Sequence, residues 1–275
     1  MEYFKLSNQV KIPAINYGTF PMTKLTCIKA LNCALRNGYE GFDTAHAYYN
    51  EKWCKFGIML SMRKREDIFI TTKISNVQQR SGDIESAFHH SLNELGVKYI
   101  DLYLMHWPNP ETYLMTWKSM ERLYKDGLVK AIGVCNFHKH HLESLMEVAD
   151  ILPMVNQVEL HPLLNQRELV NFCKDNGILV EAYSPLARNN PQLMKNDVLI
   201  KLGKKYSKSV AQVILRWDYQ NHIVSVPKSE NPDRMRNNIS IFDFELTESE
   251  MSKIDALNKN MRVRHDPDNC DFSKL

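Results

Sequence analysis

Two periods of apolar and polar positions alternate along this chain. The stretch YFKLSNQVKIPAI reads as a hairpin turning near Ser7 and Asn8. After it, short β-rich runs are each followed by an amphipathic helical stretch. INYGTF precedes TCIKALNCALRNG, EGFDTA precedes NEKWCKFGIMLSMRK, DIFITTKI precedes DIESAFHHSLNELG, and YIDLYLMHW precedes TYLMTWKSMERLYKDG. The alternation continues with VKAIGVCNF and HHLESLMEVAD, MVNQVEL and QRELVNFCKDNG, ILVEAYSPL and DVLIKLGKKYS, and HIVSVPKS and PDRMRNNIS.

Several helical stretches end on glycine, at Gly38, Gly96, Gly127 and Gly177, where a left-handed residue would close the helix before the next strand. The eight runs are continuously apolar, as parallel strands covered on both faces must be, and the connections are long enough for crossover helices. An open doubly wound sheet would call for a G-x-G-x-x-G after an early strand, and none is present. The pattern therefore predicts a single (β/α)8 TIM-barrel domain over residues 1–275. It carries an N-terminal β-hairpin and two additional helices, SVAQVILRWDYQ before the eighth strand and ESEMSKIDALNKN after the eighth repeat, and ends in a short polar tail.

Composition narrows the partners. The chain has 275 residues, 44% hydrophobic and 24% charged, with a formal charge of only +3, which argues against a nucleic-acid or membrane surface. The densest basic run, KLGKKYSK, reads as a solvated helix face. The opening MEYFKLSNQVK lacks the apolar core of a signal peptide. Six cysteines show neither C-x-x-C nor metal-ligand spacing, so reduced thiols in a cytoplasmic protein without a bound metal are expected. Nothing in the pattern demands an obligate protein partner or more than a monomer.

In such a barrel, chemistry belongs at the C-terminal ends of the strands. Asp43, Lys73, His106, Asn136, Gln157 and Tyr183 stand at successive strand ends, from the second strand to the seventh. Singly, each has an ordinary explanation: a snorkelling lysine, a hydrogen-bonded core histidine, an Asp-Thr helix cap. Together they would converge Asp43, Tyr48, Lys73 and His106 on one small volume.

The segments GYEGFDTAHAYYNE, IFITTKIS, DLYLMHWP, KAIGVCNF, VNQVELHP, AYSPL and VPKSENPDRMRNN resemble the signatures of the aldo-keto reductase superfamily, in the family's order and over nearly the whole chain. The resemblance implies NADPH-dependent reduction of a small-molecule carbonyl. Tyr48 would be the general acid, chosen over neighbouring Tyr49 by its spacing from Asp43, and His106 would orient the carbonyl. A free phenol holds its proton too firmly at neutral pH, so Lys73 is expected to stabilise the phenolate, with Asp43 keeping Lys73 charged. The same resemblance implies that Asp43, Asn136, Gln157, Tyr183, Ser184, Leu186, Lys228, Ser229, Arg234 and Asn238 bind NADPH or NADP+. Tyr183 would stack on the nicotinamide, and Lys228, Ser229 and Arg234 would hold the 2′-phosphate. Phe20, Ala47, Trp107 and Tyr49 would line an apolar substrate pocket.

Some positions depart from the family pattern. Cys135 replaces a serine and Asn237 a glutamate, Glu40 and Gly41 replace an Arg-His pair, Ser75 stands where an aromatic is frequent, and ARNNPQL is shorter and less glycine-rich than many counterparts. Two other classes remain open. One is a barrel glycosidase using Asp43 and Glu159. The other is a non-catalytic module that senses the nicotinamide cofactor.

Overall fold

The computed structural model describes residues 1–274. The hairpin is present as β1 (Tyr3–Lys5) and β2 (Lys11–Pro13), antiparallel, with Phe4 opposite Ile12. Eight parallel strands follow: β3 (Tyr17–Gly18), β4 (Gly41–Asp43), β5 (Phe69–Ile74), β6 (Leu102–Met105), β7 (Ile132–Cys135), β8 (Val155–Glu159), β9 (Leu179–Tyr183) and β10 (Val224–Val226). They pair in chain order, and a parallel bridge between Ile15 and Ser225 joins the first to the last and rounds the sheet into a barrel.

Between and after the strands run α1 (Lys24–Arg36), α2 (Glu51–Ser61), α3 (Asn76–Ser81), α4 (Ile84–Leu95), α5 (Tyr113–Lys125), α6 (Lys139–Met146) and α7 (Arg167–Asp175). They continue with α8 (Pro191–Met194), α9 (Asp197–Tyr206), α10 (Val210–Gln220), α11 (Pro232–Ile239) and α12 (Glu248–Asp255). The two additional helices expected from the sequence are α10 and α12. Gly38, Gly96, Gly127 and Gly177 all take positive φ just past helix ends, which a side chain would resist. Among the described residues no helix is long and apolar enough to cross a membrane, and the six cysteines are free.

Strand alternation divides the core in two. Outward side chains such as Tyr103, Met105, Ile132, Val134 and Val180 pack with the helices. Inward ones at the lower ends of the strands, Phe69, Leu102, Val155, Leu179 and Val224, pack with Phe4, Leu6 and Ile12 of the hairpin segment, which plugs the floor. Two residues further along the same strands the inward positions turn polar, at Gln157 and Glu181, and the next inward positions are Lys73, His106, Glu159 and Tyr183. Apolar burial therefore supports a polar interior that opens toward the C-terminal ends of the strands.

Candidate active site

At the C-terminal end of the barrel lies a cleft of about 1170 Å³. Beneath its wall sits Lys73, fully buried on β5, with its Nζ donating to both oxygens of Asp43 at 2.6 and 2.7 Å and to the Thr44 carbonyl at 2.9 Å. The same ammonium lies 3.4 Å from the hydroxyl of Tyr48, which a short 3-10 turn after β4 carries over it. Burial alone would drive Lys73 toward the neutral amine, but Asp43, then Tyr48, carry its pKa above the ordinary lysine value. The carboxylate that the sequence argument required for this lysine is in place.

The electrostatics of Tyr48 differ from expectation. Burial pushes its phenol up to about 12, outweighing the downward pull of Lys73, and Asp43 adds to the rise. In the open cleft Tyr48 is thus a phenol that holds its proton, rather than one already made acidic. His106, immediately past β6, meets the Tyr48 ring edge-on at 5.6 Å. Burial, followed by the positive charges of Lys73 and Arg264, takes its imidazole well below the ordinary value, so it is neutral at pH 7.

Asn136 and Gln157 form a second layer. Asn136 Nδ2 donates to the His106 carbonyl at 2.9 Å, and its Oδ1 accepts from the Tyr183 hydroxyl at 2.7 Å. Gln157, expected to close its strand, lies two residues short of the end of β8 and deeper in the barrel. Its Nε2 donates to Asp43 at 2.8 Å and to Glu181 at 2.6 Å, while its Oε1 faces the Cys135 thiol at 3.7 Å. Glu181 also accepts from Asn16 Nδ2 at 3.1 Å. A Cβ on residue 41 would stand 2.1 Å from Asn16 Oδ1, which gives the departure at Gly41 a physical reason: Asn16 needs that space to reach Glu181.

The remaining expected residues separate by location. Ser184, Leu186, Lys228, Ser229, Arg234 and Asn238 line one part of the cleft, together with Asn237, and Phe20, Ala47 and Trp107 also line it. Lys228 is already paired with Glu230 at 2.5 Å, and Arg234 is exposed at the start of α11, where Asn231 caps its backbone N–H. Tyr49 is 81% exposed and is not part of the cleft lining, so its expected place in the pocket is corrected. Positive φ at Asn136, Ser184, Ala187, Arg188 and Asn189 concentrates backbone strain around the cleft, as functional loops often do.

The sequence reading missed Glu181, Asn16 and the C-terminal tail. Glu181 was legible only as a charge inside the apolar run ILVEAY. Arg264, His265 and Lys274 line the cleft, because the backbone N–H groups of Val263 and Arg264 donate to Glu159 at 2.6 and 2.9 Å and hold the tail over the barrel. That role removes Glu159 from the glycosidase reading, as Lys73 removes Asp43. A second tie joins the tail to α6, where Asp268 faces His138, His140 and His141 at 2.7, 3.2 and 3.6 Å. Arg262 donates to His138 Nε2, and the His138 backbone donates to His141 Nδ1. The protons of these two rings therefore point at the carboxylate, which suits an anion hub better than a metal.

Comparison with known proteins agrees with this architecture. The sequence profile of the Aldo/keto reductase family matches residues 14–259. The chain is 48% identical to a glyoxal reductase of Bacillus subtilis over 98% of its own length and 97% of the relative's. Among solved structures, an aldo-keto reductase from a Medee basin deep-sea metagenome library superposes with a TM-score of 0.95 at 42% identity, covering 98% of this chain and 99% of the other. A Bombyx mori aldo-keto reductase in complex with NADP superposes at 0.89 with 33% identity, covering 97% and 96%. The chain belongs to the aldo/keto reductase family of oxidoreductases.

Proposed function

We propose that this chain reduces a small aldehyde or ketone to the alcohol with NADPH, using Tyr48 as general acid. The observation that carries the reading is the single ammonium of Lys73, 2.6 Å from Asp43 and 3.4 Å from the Tyr48 hydroxyl, at the foot of a cleft. When bound, the reduced nicotinamide supplies a hydride to the carbonyl carbon. Neutral His106 donates a hydrogen bond that orients the carbonyl oxygen toward Tyr48. Tyr48 gives its proton to that oxygen, and Lys73 lies close enough to stabilise the phenolate left behind. Negative charge developing on the substrate oxygen lowers the cost of that transfer, which offsets a phenol held near 12 in the open cleft.

The donor set fits a nicotinamide dinucleotide. Asn136 and the Oε1 of Gln157 offer amide groups at the floor of the cleft, and Tyr183 presents a ring beside them. Arg234, at the positive end of α11, together with Lys228 and Ser229, suits a phosphate dianion and supports NADPH over NADH. Cys135, a weaker donor than serine, would hold a carboxamide more loosely, and Asn237 offers no charge to an adenine. The similarity to a glyoxal reductase supports a small carbonyl as substrate.

The test is the loss of reduced-nicotinamide absorbance when NADPH and a panel of aldehydes meet the protein. Turnover supports the reading. Nucleotide binding without turnover of any aldehyde would point to a sensing module instead.

A further inference from the structure

Several charges around the cleft pair off. Asp43 is matched by Lys73, Glu230 by Lys228, and Lys274 stands 2.9 Å from Asp271. Three arginines that line the cleft, Arg188, Arg234 and Arg264, have no carboxylate within ion-pair distance among the described residues, and of these Arg264 is the one that reaches the rings beside Tyr48. Its backbone is fixed by Glu159, and its guanidinium lies 5.4 Å over the ring of Phe20. Phe20 in turn meets the Tyr48 ring at 4.9 Å, so one aromatic side chain separates this free cation from the proposed acid. The charge of Arg264 also opposes protonation of His106, which places it within electrostatic reach of the spot where a carbonyl would sit.

We propose that the carbonyl substrate of this enzyme carries a carboxylate, and that Arg264 binds it. The inference rests on the reductase reading and adds a substrate class to it. Contact with the face of Phe20 holds the guanidinium at the cleft wall at small cost, about 0.5–1 kcal/mol of attraction at an exposed ring. Its fork of N–H donors remains available to a planar two-oxygen anion, which it can grip bidentately as a lysine could not. Neighbouring His265, edge-on to Trp107 at 6.4 Å, supplies a second polar group on the same tail segment. A short substrate could then place its carbonyl at Tyr48 and His106 and its carboxylate at the tail.

The experiment compares 4-carboxybenzaldehyde with its methyl ester, two aldehydes of similar shape that differ by one charge, as substrates with NADPH. The native chain should prefer the acid in kcat/KM by about tenfold or more, and the preference should shrink as salt is raised. Arg264→Gln should lower kcat/KM for the acid, mainly through KM, at least about tenfold more than for the ester, with Arg264→Lys intermediate. Absence of any preference in the native chain, equal losses on acid and ester, or a loss that appears as weaker NADPH binding would each overturn the proposal while leaving the reductase reading intact. Turnover of neither aldehyde while others of the panel react would overturn the carboxylate proposal alone, and NADPH binding with no aldehyde turned over would overturn both.

Discussion

Glu181 and Asp43 share one amide nitrogen: Gln157 Nε2 donates to each, at 2.6 and 2.8 Å. Two carboxyl groups thus meet in a buried interior at the foot of the cleft, where among the described residues Lys73 is the one cation bonded to either, and it is bonded to Asp43. Burial, then the charge of Asp43, raises the Glu181 carboxyl from 4.5 to about 7. A carboxyl raised in the folded state keeps a proton that the unfolded chain has already lost, so its contribution is greatest below pH 4.5 and is lost as pH rises toward 7. The loss should be on the order of 3 kcal/mol. Urea unfolding at pH 5 and pH 8 measures it, and Glu181→Gln, which cannot ionise, should flatten the difference. An unchanged slope in that variant would assign the pH dependence elsewhere.

Tyr48→Phe removes one oxygen from the cleft and leaves its walls alone. Turnover of any aldehyde should fall by about two to four powers of ten, while the dissociation constant for NADPH stays within about twofold. Stopped-flow reduction and nucleotide fluorescence titration separate the two quantities. Equal loss of both would mean that Tyr48 holds the nucleotide rather than the proton.

Lys73→Met should be costly to the fold itself. It leaves Asp43 buried with only neutral donors, Gln157 among them, and stranding one partner of a buried ion pair typically costs about 3–5 kcal/mol. Chemical denaturation should show a loss of that size alongside lost activity. A variant as stable as the parent would mean that water reaches Asp43 from the cleft.

How much of this could be read without coordinates follows from what each side chain interrupts. The eight strands were legible because continuous apolar runs and glycine-terminated helices repeat with little variation, and Asp43 and His106 stood out by ending such runs. Gln157 reads from its run as nearer the rim than the structure places it, since a run's composition does not reveal where its pairing stops. Glu181 is inconspicuous in sequence because one charge between Val180 and Ala182 resembles a surface position on a strand; only the pairing of β8 with β9 brings it beside Gln157. The tail was invisible as a site element for a different reason. Arg264 is placed by two backbone bonds to Glu159, a hundred residues away in sequence, and no local pattern encodes them.

Arg234→Ala should distinguish the two nicotinamide dinucleotides. Losing a charge-assisted contact to a phosphate costs about 1.5–3 kcal/mol, so NADPH should bind roughly ten- to a hundredfold more weakly, with NADH changed much less. Titration of both nucleotides against parent and variant decides it. Equal weakening would move the phosphate contact to Lys228 or Ser229.

The hairpin plug carries a kinetic consequence. With Phe4, Leu6 and Ile12 sealing one end of the barrel, the two reactants share a single doorway. On the proposed reading, the nucleotide docks against Asn136 and Gln157 at the floor of the cleft and should arrive before the carbonyl and depart after it. The expected outcome is an obligatory binding sequence, visible as a fixed pattern of product inhibition, whose cause lies in fewer than fifteen residues at the far end of the protein from the chemistry.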